Sequence, residues 1–167
     1  VRAEFAKSVG GRAVPLVLVE WSSALPIEIE LIAAAPPATG KPAAVEYLTA
    51  PGMTASPIYC RVAKVNAPET IYIGGLVAPR CKSAEQEVTT IFSGLRSVLD
   101  ASKSDLLHLV KATYYVASDE ASSQLNALRP RYYDSSRPPA ASKAVVAGVG
   151  QADCHLTVDM IAVRSTQ

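Results

Sequence analysis

From residue 58 to residue 163 the spacing of apolar residues changes period in a fixed order, and that order constrains the fold most. IYCRVAKV (58–65) and TIYIGGLV (70–77) read as β-strands bracketing the turn NAPE, a hairpin. A helix follows, opened by Ser83 as its N-cap, with Glu85 and Glu87 in the first turn. Its apolar residues Val88, Ile91, Phe92, Leu95, Val98 and Leu99 keep the i, i+3, i+4, i+7 spacing of one buried stripe, which ends near Ala101. LLHLVKATYYV (106–116) becomes a strand by Lys111. A second helix over 121–133 carries Leu125, Leu128 and Tyr132 on one face, and Pro130 within it should kink or shorten it. Strands at 144–149 and 155–163 close the series around a turn at 150–153. The order ββαβαββ predicts an α+β domain: a mixed sheet with hairpins at both ends and both helices on one face. The opposite face carries small and apolar residues, so another subunit is expected to cover it.

The N-terminal region stands apart from this series. Residues 14–21 are rich in Val and Leu, and residues 26–32 alternate Ile27, Ile29 and Leu31 with Glu28 and Glu30. Period-two alternation marks a strand with one buried face, so the two runs predict a hairpin. The apolar run 14–19 follows Arg2, Lys7 and Arg12 as a signal peptide's core would, but it is short and leads into Glu20 and Trp21 rather than small residues. A strand is the better reading, and the cytoplasm the expected location. AAPPATGK (34–41) is a linker, and a weak strand is expected at 45–48. LPIEIELIA (25–33) also matches the closing strand CHLTVDMIA (154–162), pairing Glu30 with Asp159 and Ile32 with Ile161. Residues 1–36 therefore read as the tail of a preceding copy of the domain, and residues 37–167 as the domain itself.

Charge and cysteine usage exclude several functions. Lys and Arg number 16 against 15 Asp and Glu, too even a balance for a protein that grips nucleic acid electrostatically. Cys60, Cys81 and Cys154 are too few for a disulfide scaffold, and no pair has zinc-ligand spacing. There is no glycine-rich phosphate loop, and no apolar run approaches the roughly 20 residues of a membrane span. His108 and His155 have no Ser or Cys partner in a nucleophile motif.

Residues 58–163 resemble the Rid family of reactive intermediate deaminases, also called YjgF or L-PSP endoribonuclease-like proteins. The segments that carry the resemblance are IYCRVAKV, TIYIGGLVA, AEQEVTTIFSGLRSVLDA, HLVKATYYVAS, LNALRPRYYDSSRPPAAS and LTVDMIAV, with Gly75, Lys111, Asn126, Pro139 and Ser142 at characteristic positions. The resemblance implies a chorismate-mutase-like α+β fold and a homotrimer whose sheets form a central barrel with clefts between subunits. In active relatives those clefts hydrolyse enamines and imines to ketoacids and ammonia, without metal or cofactor. An arginine in a Pro-Ala-Arg-Ser motif grips the substrate carboxylate, and a glutamate on the last strand positions water. Here the motif reads Pro139-Ala140-Ala141-Ser142, so Ala141 replaces the arginine and its charge-assisted bonds, worth roughly 1.5–3 kcal/mol each. Asp159 fills the glutamate position with a shorter reach. Gly74-Gly75 replaces a Ser-Gly pair, and Tyr59 matches a cleft tyrosine. Lys143, on the same strand face as Ala141, and Arg137 are the cations able to stand in for the arginine.

The expected site is thus Asp159 as the catalytic carboxylate, with Tyr59, Gly74, Gly75, Ala141, Lys143 and Arg137 lining a small-molecule cleft. The leading function is binding of a small metabolite without the standard deaminase anchor. Alternatives are an active deaminase anchored by Lys143 or Arg137, a non-catalytic assembly module and, weakest on the charge balance, an endoribonuclease. Each residue also has an ordinary reading: Asp159 and Lys143 as solvated strand residues, Tyr59 as packing, and Gly74-Gly75 as an eased bend in the sheet.

Overall fold

A computed structural model of the chain describes residues 2–10, 15–21, 31–78 and 80–165. Its centre is a four-stranded sheet of order β3-β6-β4-β5, formed by β3 (Thr70–Leu76), β6 (Leu156–Val163), β4 (Leu109–Val116) and β5 (Ala140–Val145). β6 runs antiparallel to both β3 and β4, while β5 is parallel to β4. Parallel pairing follows from the connection, because β5 returns to the sheet through a helical crossover. A short N-terminal helix, α1 (Arg2–Ser8), precedes these elements.

α2 (Ala84–Ala101) and α3 (Asp119–Leu128) cover one face. Ser83 Oγ accepts from the Gln86 N–H and Ser118 Oγ from the Ala121 N–H, so both helices start on a serine cap. α3 ends where Pro130 enters the chain, and Arg129–Arg131 tighten into a 3₁₀ turn. Val88, Ile91, Phe92, Leu95 and Leu99 of α2 are buried against Leu156, Val158, Met160 and Ala162 of β6 and Ala112, Tyr114 and Val116 of β4. These strand residues alternate, as one buried sheet face requires. On the opposite face Val110, Ile161 and Val163 pack with Val45 from β1 (Val45–Leu48). β1 pairs antiparallel with β2 (Val62–Val65).

Three pairings differ from expectation. β2 takes β1 as its ladder partner, and no β2–β3 hairpin is present among the described residues. Asn66 explains this: its N–H donates to Ala44 O at 2.9 Å, and its Nδ2 donates to Ala43 O and Glu46 Oε1. The turn is thereby tied back to β1, and Pro68 has no N–H to close a tight hairpin. The strand expected over 58–65 is confined to Val62–Val65, because Cys60 makes only an isolated bridge to Ala140. At the C-terminal end β4 lies between β5 and β6, so the closing strands do not form a hairpin, and the strand expected at 144–149 runs over Ala140–Val145 instead. The hairpin expected over 14–32 falls largely outside the described residues. Of its first run, residues 15–21 form no named strand and only Glu20 bridges to Gly148.

Candidate functional site

Alternation along the strands divides the expected site residues between the two faces of the sheet. Thr113 stands in register with Asp159 on one side and with Ser142 on the other, on the face away from the helices. The β3–β6 register shifts between Ile73, opposite Met160, and Leu76, opposite Val158, so Asp159 lies across from the irregularity that contains Gly74 and Gly75. This is a β-bulge, and Gly75 sits in its left-handed conformation at φ 68°. Asp159 and the glycine pair, distant in sequence, are therefore brought together.

The same face holds three polar residues outside the expected site, Lys111, Thr113 and Thr157. Lys111 Nζ donates to Thr113 Oγ1 at 2.6 Å, and Thr113 is fully buried. Lys111 stands out in the sequence as a cation interrupting an apolar strand and as one of the positions that carry the family resemblance. Thr157, two residues from Asp159, donates its hydroxyl to Leu76 O at 3.0 Å and pins the far side of the bulge. A carboxylate on this face can hold a water by accepting its hydrogen bond, with the lysine ammonium nearby to favour negative charge.

The glycine pair is closely approached, and by the protein's own backbone. A Cβ on Gly75 would lie 2.5 Å from Leu16 O, and one on Gly74 would lie 3.2 Å from Leu16 N. The segment continues across Gly150, whose Cβ would meet Leu18 O at 2.7 Å. It is anchored where Glu20 N–H donates to Gly148 O and Ala147 N–H donates to Glu20 O, both at 2.7 Å. Val19 and Trp21 pack beside Tyr115, Val146 and Val149. Residues 15–21 thus wall one end of the Asp159 face.

The remaining expected residues lie elsewhere. Ala141 is in register with Ala112 and packs against the helix-side core. Lys143 faces the same way: its Nζ donates to Ser122 Oγ at 2.8 Å and to Asn126 Oδ1 at 3.4 Å, both on α3. The sheet separates both from Asp159. Arg137 lies beside Tyr47, whose phenol burial pushes up to about 12 while Arg137 pulls it down. That phenol donates to Leu109 O at 2.8 Å. Tyr59 carries the Arg61 guanidinium 5.1 Å from its ring centroid.

A groove of about 1060 Å³ opens on the same side of the sheet, between residues 31–38 and the strands. Arg61, Lys64, Tyr72, Lys111 and Ile161 contribute to its wall. Among the described residues no cluster of three or more His, Cys, Asp and Glu could hold a metal ion, and no helix is long and apolar enough to cross a membrane.

Comparison with known proteins extends these observations. No curated protein matches the chain. A YjgF-family protein from Neisseria meningitidis superposes with a TM-score of 0.56 at 17% identity, covering 74% of this chain and 97% of that one. The Rid-family protein YyfB from Yersinia pestis gives 0.64 at 16% identity, over 72% of this chain and 98% of its own. Yeast Mmf1 gives 0.53 at 22%, over 72% and 99%. At such identities these structures establish the fold: helices on one face of a YjgF-type mixed sheet. The family model described as Endoribonuclease L-PSP matches residues 53–164, from before β2 to just beyond β6. The chain therefore belongs to the endoribonuclease L-PSP family, the Rid/YjgF proteins.

Proposed function

We propose that this chain binds a small metabolite on the Asp159 face of its sheet, in a cleft completed by neighbouring subunits of a homotrimer, and that arginine-anchored imine deamination is not its reaction. The observation that carries this reading is the division of the site. Asp159 shares a face with Gly74-Gly75, Thr113 and Lys111, whereas Ala141 and Lys143 face the helices. A carboxylate held at Asp159 would find no guanidinium at position 141, and Lys143 would have to reach through the sheet. An imine or related electrophile without a carboxylate avoids that missing contact, with Asp159 positioning the attacking water.

The trimer is supported by apolar residues exposed on the face away from the helices. Tyr72 is 56% exposed, and Val62 and Leu48, paired across β1–β2, are 47% and 42% exposed. These residues line one groove, and apolar surface of this kind favours burial by another subunit. The division at residue 36 joins the proposal: residues 1–36 derive from the end of a preceding domain, and their docked part, residues 15–21, closes one end of the cleft.

The test uses imines that carry a carboxylate, generated by an amino-acid oxidase, and imines that lack one, generated by an amine oxidase, and follows their decay with wild type and Asp159→Asn. The reading expects any acceleration to be confined to imines lacking the carboxylate and to vanish in Asp159→Asn. Acceleration that Asp159→Asn leaves intact would remove Asp159 from the site.

A further inference from the structure

Two cysteines far apart in sequence meet where α2 and β6 begin. Cys154 is buried, and its Sγ donates to Ala78 O at 3.7 Å. Cys81 lies three residues beyond Ala78 and packs on the core that holds Ala78 and Leu156. Glu87, in the first turn of α2, accepts from the N–H groups of His155 and Leu156, which holds the start of the helix against the start of β6. The two sulfurs are close enough to sense each other. Burial pushes the Cys154 thiol up, and the charges of Glu87, Cys81 and Asp153 push it the same way.

The backbone presents both cysteines from uncommon turns. Arg80 and Asp153, each immediately before a cysteine, are left-handed at φ 63° and 60°. Among the described non-glycine residues only Lys103 shares that conformation. A left-handed residue with a Cβ costs free energy and persists where the surrounding structure fixes it, so neither cysteine sits on a loose loop. The two thiols differ in access. Cys81 is half-buried, so a small oxidant reaches it, whereas Cys154 is buried and its raised thiol stays protonated. Cys60 lies at the other end of the strands. It bridges Ala140, which is in register with Lys111, while Leu156 is in register with Val116.

We infer that Cys81 and Cys154 form a redox-active thiol pair, which hydrogen peroxide closes into a disulfide that fastens the segment before α2 to the start of β6. The Cys81 sulfur, as thiolate, attacks one peroxide oxygen. The S–O bond forms, the O–O bond breaks, and the second oxygen leaves as hydroxide, which takes up the proton that the thiol released. The Cys154 sulfur then attacks the Cys81 sulfenic acid at sulfur. The S–S bond forms, the S–O bond breaks, and the hydroxyl departs as water with the Cys154 proton. Two thiols are thereby oxidised by two electrons, and one hydrogen peroxide is reduced to two waters.

The reduced full chain, freed of reductant, would be treated with hydrogen peroxide, then unfolded and its remaining thiols alkylated. Digestion without reduction and mass spectrometry would follow. Alkylatable thiols should fall from three to one, the survivor being Cys60. The peptides bearing Cys81 and Cys154 should appear joined, lighter than their sum by two hydrogens, and dithiothreitol should separate them. The protein should still run as a monomer on a non-reducing denaturing gel, which places the bond within one chain. Cys60→Ala should close the disulfide as wild type does, and Cys81→Ser should leave Cys154 open to alkylation. Three alkylatable thiols after peroxide, Cys81 carried to the sulfinic acid without a joined peptide, or a bond between two chains would each overturn the inference.

Discussion

At Gly75 two constraints meet. Its φ of 68° disfavours any residue with a Cβ, and that Cβ would lie 2.5 Å from Leu16 O. Gly75→Ala should therefore lower the unfolding free energy by about 1–3 kcal/mol, the usual range for backbone strain. It should also speed amide exchange at Ala147, whose N–H bonds to Glu20. Wild-type stability in urea together with unchanged exchange would contradict the close approach. Glu87 shows the limit of reading residues singly. Its place in the first turn of α2 suggests a dipole role, yet it is 2% exposed and its Oε1 accepts from the N–H groups of His155 and Leu156 at 2.7 and 2.9 Å. Glu87→Ala should cost about 1.5–3 kcal/mol by stranding those donors, and Glu87→Gln much less, in chemical denaturation. The buried tyrosines set the alkaline limit. Tyr114 titrates at about 12 in the folded chain against 10.0 ordinarily, so the unfolded state loses its proton first. Stability contributed by the neutral phenol is complete below pH 10 and is lost between pH 10 and about 12. Tyr114→Phe should flatten that limb in pH-dependent unfolding.

Elements differ in how much of them the sequence exposes. α2 is legible because its stripe spans several turns and its cap is local, so both ends fall within a residue of expectation. Pro130 shortens the second helix as anticipated, since the missing N–H acts wherever the chain goes. Strand pairing is not legible in this way. Alternation tells which face of a strand is buried but not which neighbour supplies its ladder, and β4 separates β5 from β6 without any local mark. Site residues inherit that blindness. Period-two alternation puts Ala141 and Lys143 on a common face, but the relation of that face to Asp159 depends on the parallel register of β5 with β4. One consequence is testable. Because Ala141 packs on the helix-side core, Ala141→Arg should destabilise the protein by about 1–3 kcal/mol through overpacking instead of creating an anchor beside Asp159. Unchanged stability with new deaminase activity would show that position 141 opens to the cleft.

At the scale of the molecule, the sheet has one face closed by its own helices and another only partly covered by β1, β2 and residues 15–21. Both faces of β4 and β6 are nonetheless made of buried or partly buried residues. If subunits close the uncovered face, Tyr72→Glu should convert a trimer to a monomer in sedimentation equilibrium, while a residue exposed on the helix side such as Arg96 should tolerate the same change. The account's central claim concerns the Asp159 face and is tested most directly by the hydrolysis of 2-iminopropanoate by the full chain. The account predicts decay at the buffer rate for wild type, because position 141 offers the carboxylate no guanidinium. Acceleration by wild type that disappears in Asp159→Asn would contradict it, and would make this chain a deaminase whose anchor lies outside position 141.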